Sequence, residues 1–261
     1  MRPPSQMKSP AYPNFSAFKI GRRELVIHRD IATHAAEIMQ KLGELKSASQ
    51  AGAGNRRSAF RLNLTGGLEL FARRGRRGGM IGSILSDVYV GVTPRPLNEL
   101  ALTIEAMQRG IPVAEPMGAM IEWIGPALYR GFFLTRAVRG MTLWEFLKTD
   151  DDPIVRGHVL GQARAAIDTM HDQGFFHADL NLHNLLVTQA RESFTVTIID
   201  LDKARLFDAP LSAAMRRANA ARLMRSARKL DPSGQFLDAS ALAILCVTSD
   251  GQSKAFDGGL N

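Results

Sequence analysis

Four residues in the second half of the chain have types and spacing suited to one kind of chemistry. Asp179 stands two residues after His177 and five before Asn184, and Asp200 follows sixteen residues after Asn184. A base and two oxygen ligands at the mouth of one hairpin equip a site for phosphoryl transfer. Asp179 would accept the proton of an acceptor hydroxyl, while Asn184 and Asp200 hold magnesium against ATP. These three are the candidate catalytic residues, and Asn184 and Asp200 are also the candidate metal ligands.

The pattern His177-x-Asp179-x-x-x-x-Asn184 takes its weight from context. It follows a long amphipathic stretch and precedes the apolar run Leu185-Leu186-Val187, and Asp200 closes a second run, Val196-Thr197-Ile198-Ile199. The alternative is a polar hairpin connection in which Asp179 is only a cap. His177 reads as a buried brace for the loop, not a proton shuttle. His183 has no assigned role, and Asp202 either adds to the metal site or points elsewhere.

Such a site needs a cation for the ATP phosphates, carried on a strand and steadied by a helix glutamate. No lysine lies between Lys46 and Lys148. Arg73, at the end of an apolar strand, is the best-placed substitute, because a guanidinium grips phosphate oxygens in a fork. Its partner would be Glu99, on a helix from about Pro96 to Arg109 that Gly110 closes, an ordinary exposed helix glutamate being the alternative. Gly52 and Gly54, in Ala51-Gly52-Ala53-Gly54-Asn55-Arg56, are candidates for a turn that covers phosphates with backbone amides; a plain hairpin turn is the alternative. Lys46–Gln50, Ser58–Leu64 and Leu68–Arg73 read as three strands, and Val113–Val138 completes a small five-stranded lobe. His28-Arg29-Asp30 imitates the catalytic triplet but has Ala35 where an asparagine is needed.

Downstream, Thr142 is placed to cap a short helix through Leu147. Asp150-Asp151-Asp152-Pro153 opens a long helix that ends at Gly174, and its apolar stripe, Val155, Val159, Ala163, Ile167 and Met170, reads as core. Only 59 residues remain after Asp202, enough for a basic helix over about Leu211–Leu230 and a final helix near Ser240–Val247. A peptide-docking platform is missing, which argues for a small-molecule or lipid acceptor. The fold class expected is α+β: a two-lobed, protein-kinase-like fold with a small antiparallel-sheet N-lobe and a reduced helical C-lobe. The boundaries are a loosely ordered N-terminus at 1–20, an N-lobe at 21–135, a C-lobe at 136–247 and a frayed tail at 248–261.

The 261 residues, 45% of them apolar, suffice for a real core. The single cysteine, Cys246, excludes an internal disulfide and suggests a reducing compartment. The N-terminus lacks the apolar segment of a signal peptide, and no run reaches the length of a membrane span, so a soluble, cytosolic protein is expected. The net charge of +8 is concentrated in two clusters. Arg56, Arg57, Arg61, Arg73, Arg74, Arg76 and Arg77 face only Glu69. Arg216, Arg217, Arg222, Arg225, Arg228 and Lys229 have no acidic residue among them. Such clusters suit a polyanion, the alternative being a solvated basic surface.

Three stretches carry a family resemblance: Arg76-Arg77-Gly78-Gly79-Met80-Ile81-Gly82 with Leu85-Ser86-Asp87-Val88-Tyr89; His177 to Asn184 with Ile199-Asp200-Leu201-Asp202-Lys203; and Asn219 to Leu230. The chain resembles the lipopolysaccharide core kinases, most of all the 3-deoxy-D-manno-octulosonic acid (Kdo) kinases. The resemblance implies ATP- and magnesium-dependent phosphorylation of a Kdo hydroxyl on a lipid A precursor. It implies an anionic glycolipid substrate and peripheral contact with the cytoplasmic face of a Gram-negative inner membrane; nucleic acid is not expected as a partner. On this reading the Arg74–Arg77 loop and the stripe Arg222, Arg225, Lys229 face lipid phosphates or the sugar carboxylate. The rivals are a heptose kinase of the same superfamily, a compact atypical protein kinase and a pseudokinase used as a binding module.

Overall fold

In a computed structural model, which describes residues 5–6, 12–50, 59–74, 88–191 and 193–246, the chain divides into two compact units. One comprises residues 1–105 and 114–138, the other 106–113 and 139–261.

Among the described residues the first unit is built on a sheet of eight strands. β1 is Ser5–Gln6, and β2 (Phe15–Ile20) and β3 (Arg23–His28) form a hairpin. Its turn passes through Gly21 at φ 58°, a conformation that costs glycine nothing. Leu25 and Ile27 alternate inward on β3, whereas Phe15, Ser16 and Ala17 at the start of β2 are all buried. The strand at Phe15–Ile20 corrects the reading of residues 1–20 as loosely ordered: there, pairing with β3 and burial of Phe15 outweigh the Pro- and Ser-rich composition.

β4 (Ala59–Asn63), β5 (Glu69–Arg74), β6 (Tyr89–Val90), β7 (Pro116–Trp123) and β8 (Leu128–Arg136) complete the sheet, in the order β1-β2-β3-β7-β8-β5-β4 with β6 beside β8. Against five expected strands the described residues hold eight: β1, the β2–β3 hairpin, which joins through β3 against β7, and β6 add four, and the strand expected at Lys46–Gln50 drops out. Helix α1 is Ala35–Gln50, so Lys46–Gln50 is helical and not a strand. That segment holds lysine, alanine and glutamine, good helix formers, and no β-branched residue to resist extension of the helix. Ile38, Met39 and Leu42 on α1 pack into one core with Leu25, Ile27, Leu62, Leu70 and Leu134 of the sheet. Helix α2 (Arg95–Gln108) packs Leu100 and Ile104 with Phe15, Ala119 and Phe133. Gly110, at φ 76°, follows it in the left-handed conformation of a C-terminal stop.

In the second unit β9 (Met141–Thr142) pairs with β11 (Leu185–Ala190), which pairs with β12 (Ser193–Ile198). β10 (Phe175–Phe176) pairs with β13 (Arg205–Leu206). Thr142 caps α3 (Leu143–Thr149) through a reciprocal capping box with Glu145. Asp152 caps α4 (Pro153–Asp172) by accepting the amide hydrogen of Ile154 at 2.8 Å. The stripe Val159, Ala163, Ile167 and Met170 of α4 is buried. Helix α5 (Ala213–Leu230) begins at Ser212, and α6 (Ala239–Cys246) packs on α4 and α5.

Candidate active site

The loop after α4 is built from a tight reversal. Gly174 takes φ 77°, and a Cβ there would lie 2.3 Å from the carbonyl oxygen of Phe207. Only glycine satisfies both conditions, and it sets β10 against β13 so that the chain enters the loop at His177.

His177 is fully buried. Its Nδ1 accepts the amide hydrogen of Asp179 at 3.1 Å, which leaves Nε2 as the protonated nitrogen, and Nε2 donates to the carbonyl oxygen of Ile199 at 3.0 Å. Burial pushes the imidazole below its usual pKa. A neutral ring with both nitrogens engaged ties the residue before Asp200 to the loop that carries Asp179.

The carbonyl oxygen of Asp179 accepts from the side-chain amides of Asn181, at 2.9 Å, and Asn184, at 2.8 Å. Asn181 also caps the following turn, its Oδ1 accepting from the amide of His183 at 2.9 Å. The Asp179 backbone is thus held from both sides, while the residue as a whole is exposed to solvent. Asn184 is buried, and its own carbonyl accepts from Ile199 N–H at 3.0 Å. That bond extends the β11–β12 ladder one step beyond Leu185 and Ile198 and sets Ile199, the residue before Asp200, opposite Asn184.

Asp200 has φ 66°, in the left-handed region that a non-glycine residue enters at a cost of about 1–2 kcal/mol. Asp202 follows after the buried Leu201. Hard oxygen donors, one carboxylate and one amide oxygen, suit magnesium, which takes one or two carboxylates and completes its shell with phosphate oxygens and water. The amide orientation agrees with this. Asn184 Nδ2 is spent on Asp179, so Oδ1 is the atom left for a cation. Among the described residues no group of three or more His, Cys, Asp and Glu side chains forms an all-protein metal cage.

The first unit brings together the cation and carboxylate expected there. Arg73, at the end of β5, pairs through Nη2 with Glu99 of α2, whose carboxylate is almost fully buried. Arg74 does not face outward as expected of the basic loop. It is buried, with its guanidinium 5.4 Å from the centre of the Phe132 ring. Gly52, Gly54, Arg56 and Arg57 lie outside the described residues, as do Arg76, Arg77 and the tail from 248.

The basic helix also divides. Arg217, Arg225, Arg228 and Lys229 are exposed. Arg216 is buried, its Nε donating to the Leu211 carbonyl at 3.0 Å and its Nη2 to Asp172 at 2.6 Å, so it belongs to the interior. Arg222 is half-buried, and its charge acts on His177. The residue that motif reading passed over is Asn219. It is fully buried on α5 and bonded to both His171 and His177. A signal for it exists in the sequence: Asn219, Leu223 and Ala227 recur at helical spacing, which puts the amide in line with two apolar residues on one face.

A model of the lipopolysaccharide kinase (Kdo/WaaP) family matches residues 44–243. A 3-deoxy-D-manno-octulosonic acid kinase of Xylella fastidiosa is 32% identical over 161 residues, covering 60% of this chain and 61% of the relative. One from Actinobacillus succinogenes is 31% identical over 141 residues, 52% and 58% of the two chains. The aligned part therefore spans about three fifths of these relatives' length. A solved structure of WaaP in complex with acyl carrier protein has the same fold, at TM-score 0.52 and 16% identity over 85% of this chain and 88% of that one. The α+β class read from the sequence is the class observed, and the chain belongs to the lipopolysaccharide kinase (Kdo/WaaP) family.

Proposed function

We propose that this protein transfers the γ-phosphoryl group of ATP to a hydroxyl of a Kdo sugar on a lipid A precursor. The observation that carries the reading is the Asp179 loop, in which an exposed aspartate sits on a backbone pinned by His177, Asn181 and Asn184. A base held in this way loses little freedom when it meets an acceptor.

Asp179 takes the hydroxyl proton as the acceptor oxygen bonds to the γ-phosphorus. The bond from that phosphorus to the bridging oxygen breaks, and ADP leaves. Asn184 and Asp200 would hold magnesium, which when bound supplies charge neutralisation to the phosphates. Arg73, oriented by Glu99, grips phosphate oxygens as a lysine would elsewhere, with two parallel donors in place of one point charge.

Kdo as the acceptor is supported by the names of the relatives. An anionic glycolipid, and peripheral contact with an anionic membrane face, are supported by the exposed cations Arg217, Arg225, Arg228 and Lys229. Among the described residues no helix is long and apolar enough to cross a membrane. Incubation with labelled ATP and magnesium, separately with Kdo-lipid A, heptosylated core and a protein acceptor, tests the reading. Label is expected in Kdo-lipid A and is expected to fall roughly 100-fold or more in Asp179→Ala. Label only in heptosylated core would make the protein a heptose kinase, and label only in protein would end the glycolipid reading.

A further inference from the structure

We infer that Asn219 is the positioning residue of the catalytic loop, a role that rests on the phosphotransfer reading. Asn219 reaches the loop from α5, 42 residues downstream in sequence, and has no solvent exposure. Its side-chain amide engages both polar groups of one residue. Oδ1 accepts the backbone N–H of His177 at 3.3 Å, and Nδ2 donates to the carbonyl oxygen of His177 at 2.8 Å. The amide is thus a one-residue strand partner for His177, in a stretch where no neighbouring backbone supplies both bonds.

The backbone of His177 fixes which way the amide faces, because a flipped amide would set Nδ2 against the His177 N–H and Oδ1 against its carbonyl oxygen. Nε2 of His171 on α4 lies 3.1 Å from the same Oδ1, and with the amide so oriented only the protonated form of that nitrogen makes this a hydrogen bond. From Asn219 the restraint continues without a gap. His177 is held at its backbone, and its ring accepts the amide hydrogen of Asp179. Asn219 acts on the base through His177 and touches no reacting atom.

No other residue type does this work. Alanine leaves the His177 N–H and C=O buried without this partner. Aspartate keeps both acceptor functions, toward His177 N–H and His171, but loses the donor and sets a carboxylate oxygen against the His177 carbonyl. Leucine has the volume and neither function. Misplacing a catalytic group by about 1 Å costs on the order of 100-fold in rate, so the loss on removing Asn219 should appear in turnover.

The test compares Asn219→Ala and Asn219→Asp with wild type in kcat, in KM for ATP, in the thermal shift given by magnesium-ATP, and in hydrogen exchange of the His177 and Asp179 amides. The expected results for Asn219→Ala are a fall in kcat of roughly 10- to 100-fold, a KM for ATP and a nucleotide-induced thermal shift close to wild type, and faster exchange at both amides. Asn219→Asp should keep the His177 amide slow and recover part of the kcat. Wild-type kcat in a folded Asn219→Ala protein of lower Tm would overturn the proposal by reducing Asn219 to a fold-supporting residue. Should Asn219→Ala not fold, wild-type kcat in Asn219→Asp overturns it equally. If wild type labels none of the acceptors, the phosphotransfer reading fails, and the exchange rates still decide whether Asn219 holds the loop.

Discussion

The side-chain amide of Asn184 donates to the backbone carbonyl of Asp179 at 2.8 Å, so a candidate metal ligand also holds the candidate base. The two roles use different atoms of one amide, Nδ2 for the loop and Oδ1 for a cation, and two separate measurements read them. Asn184→Leu removes both. It should lower stability by about 1 kcal/mol through the lost bond and raise the magnesium concentration for half-maximal activity by roughly 10-fold or more. Denaturant unfolding and a magnesium titration of activity measure these. An unchanged magnesium requirement would take Asn184 out of the metal site.

Arg73 and Glu99 should act as a unit. Arg73→Ala strips a guanidinium from a buried carboxylate and should destabilise the first unit by about 1–3 kcal/mol. It should also raise KM for ATP. Arg73→Lys keeps the charge but not the fork, and is expected to fall between wild type and alanine in KM. Equal KM values for all three proteins would show that the phosphates are held elsewhere.

Stability should fall on mild acidification. Burial lowers the pKa of His177 and of His171 below the ordinary value of about 6.5. Above that value both histidines are neutral in the folded and unfolded chain, and they contribute no pH dependence. Below it the unfolded chain binds protons that the folded chain refuses, so stability drops by at most about 1.4 kcal/mol per pH unit for each histidine. Urea midpoints measured from pH 7.5 down to pH 5 should decline below about 6.5; a flat profile would mean that the rings are charged in the fold.

Asp231, at the end of α5, is a second structural anchor. Burial works to raise its pKa, but amide hydrogens of Gln235, Phe236 and Leu237, together with the Ser233 hydroxyl, outweigh this and lower it. Asp231→Ala leaves that turn without its acceptor and should cost about 2–4 kcal/mol, seen as a lower unfolding midpoint, with kcat at temperatures below the transition unaffected. A loss of less than 0.5 kcal/mol, of the order seen for ordinary surface substitutions, would show that water replaces the carboxylate.

Legibility from sequence followed the range of the interaction. Asp179, Asn184 and Asp200 stand out because one loop and one hairpin bring them together, and the length of such elements is set by local geometry. The pairing of Arg73 with Glu99 is legible as a strand end and a helix glutamate, although they are 26 residues apart, but the burial of Glu99 is not. The caps at Thr142 and Asp152, and the stop after α2, were legible because they are single-turn chemistry. Composition misleads at Phe15–Ile20, where a Pro- and Ser-rich stretch holds a strand, and is the better guide at Lys46–Gln50, where good helix formers extend α1 through the strand expected there.

The amino-acid sequence by itself determined the candidate reactive set, the caps at Thr142 and Asp152, the stop after α2 and the α+β class, since each depends on neighbours within a turn or a hairpin. Only the tertiary structure decided that the sheet has eight strands among the described residues, that Arg74 and Arg216 are interior residues while Arg225 and Lys229 are exposed, and that Asn219 grips His177. The physical reason is shared. A charged or amide side chain on a helix is equally at home in water or in a satisfied interior, and the choice is made by partners that arrive from distant parts of the chain.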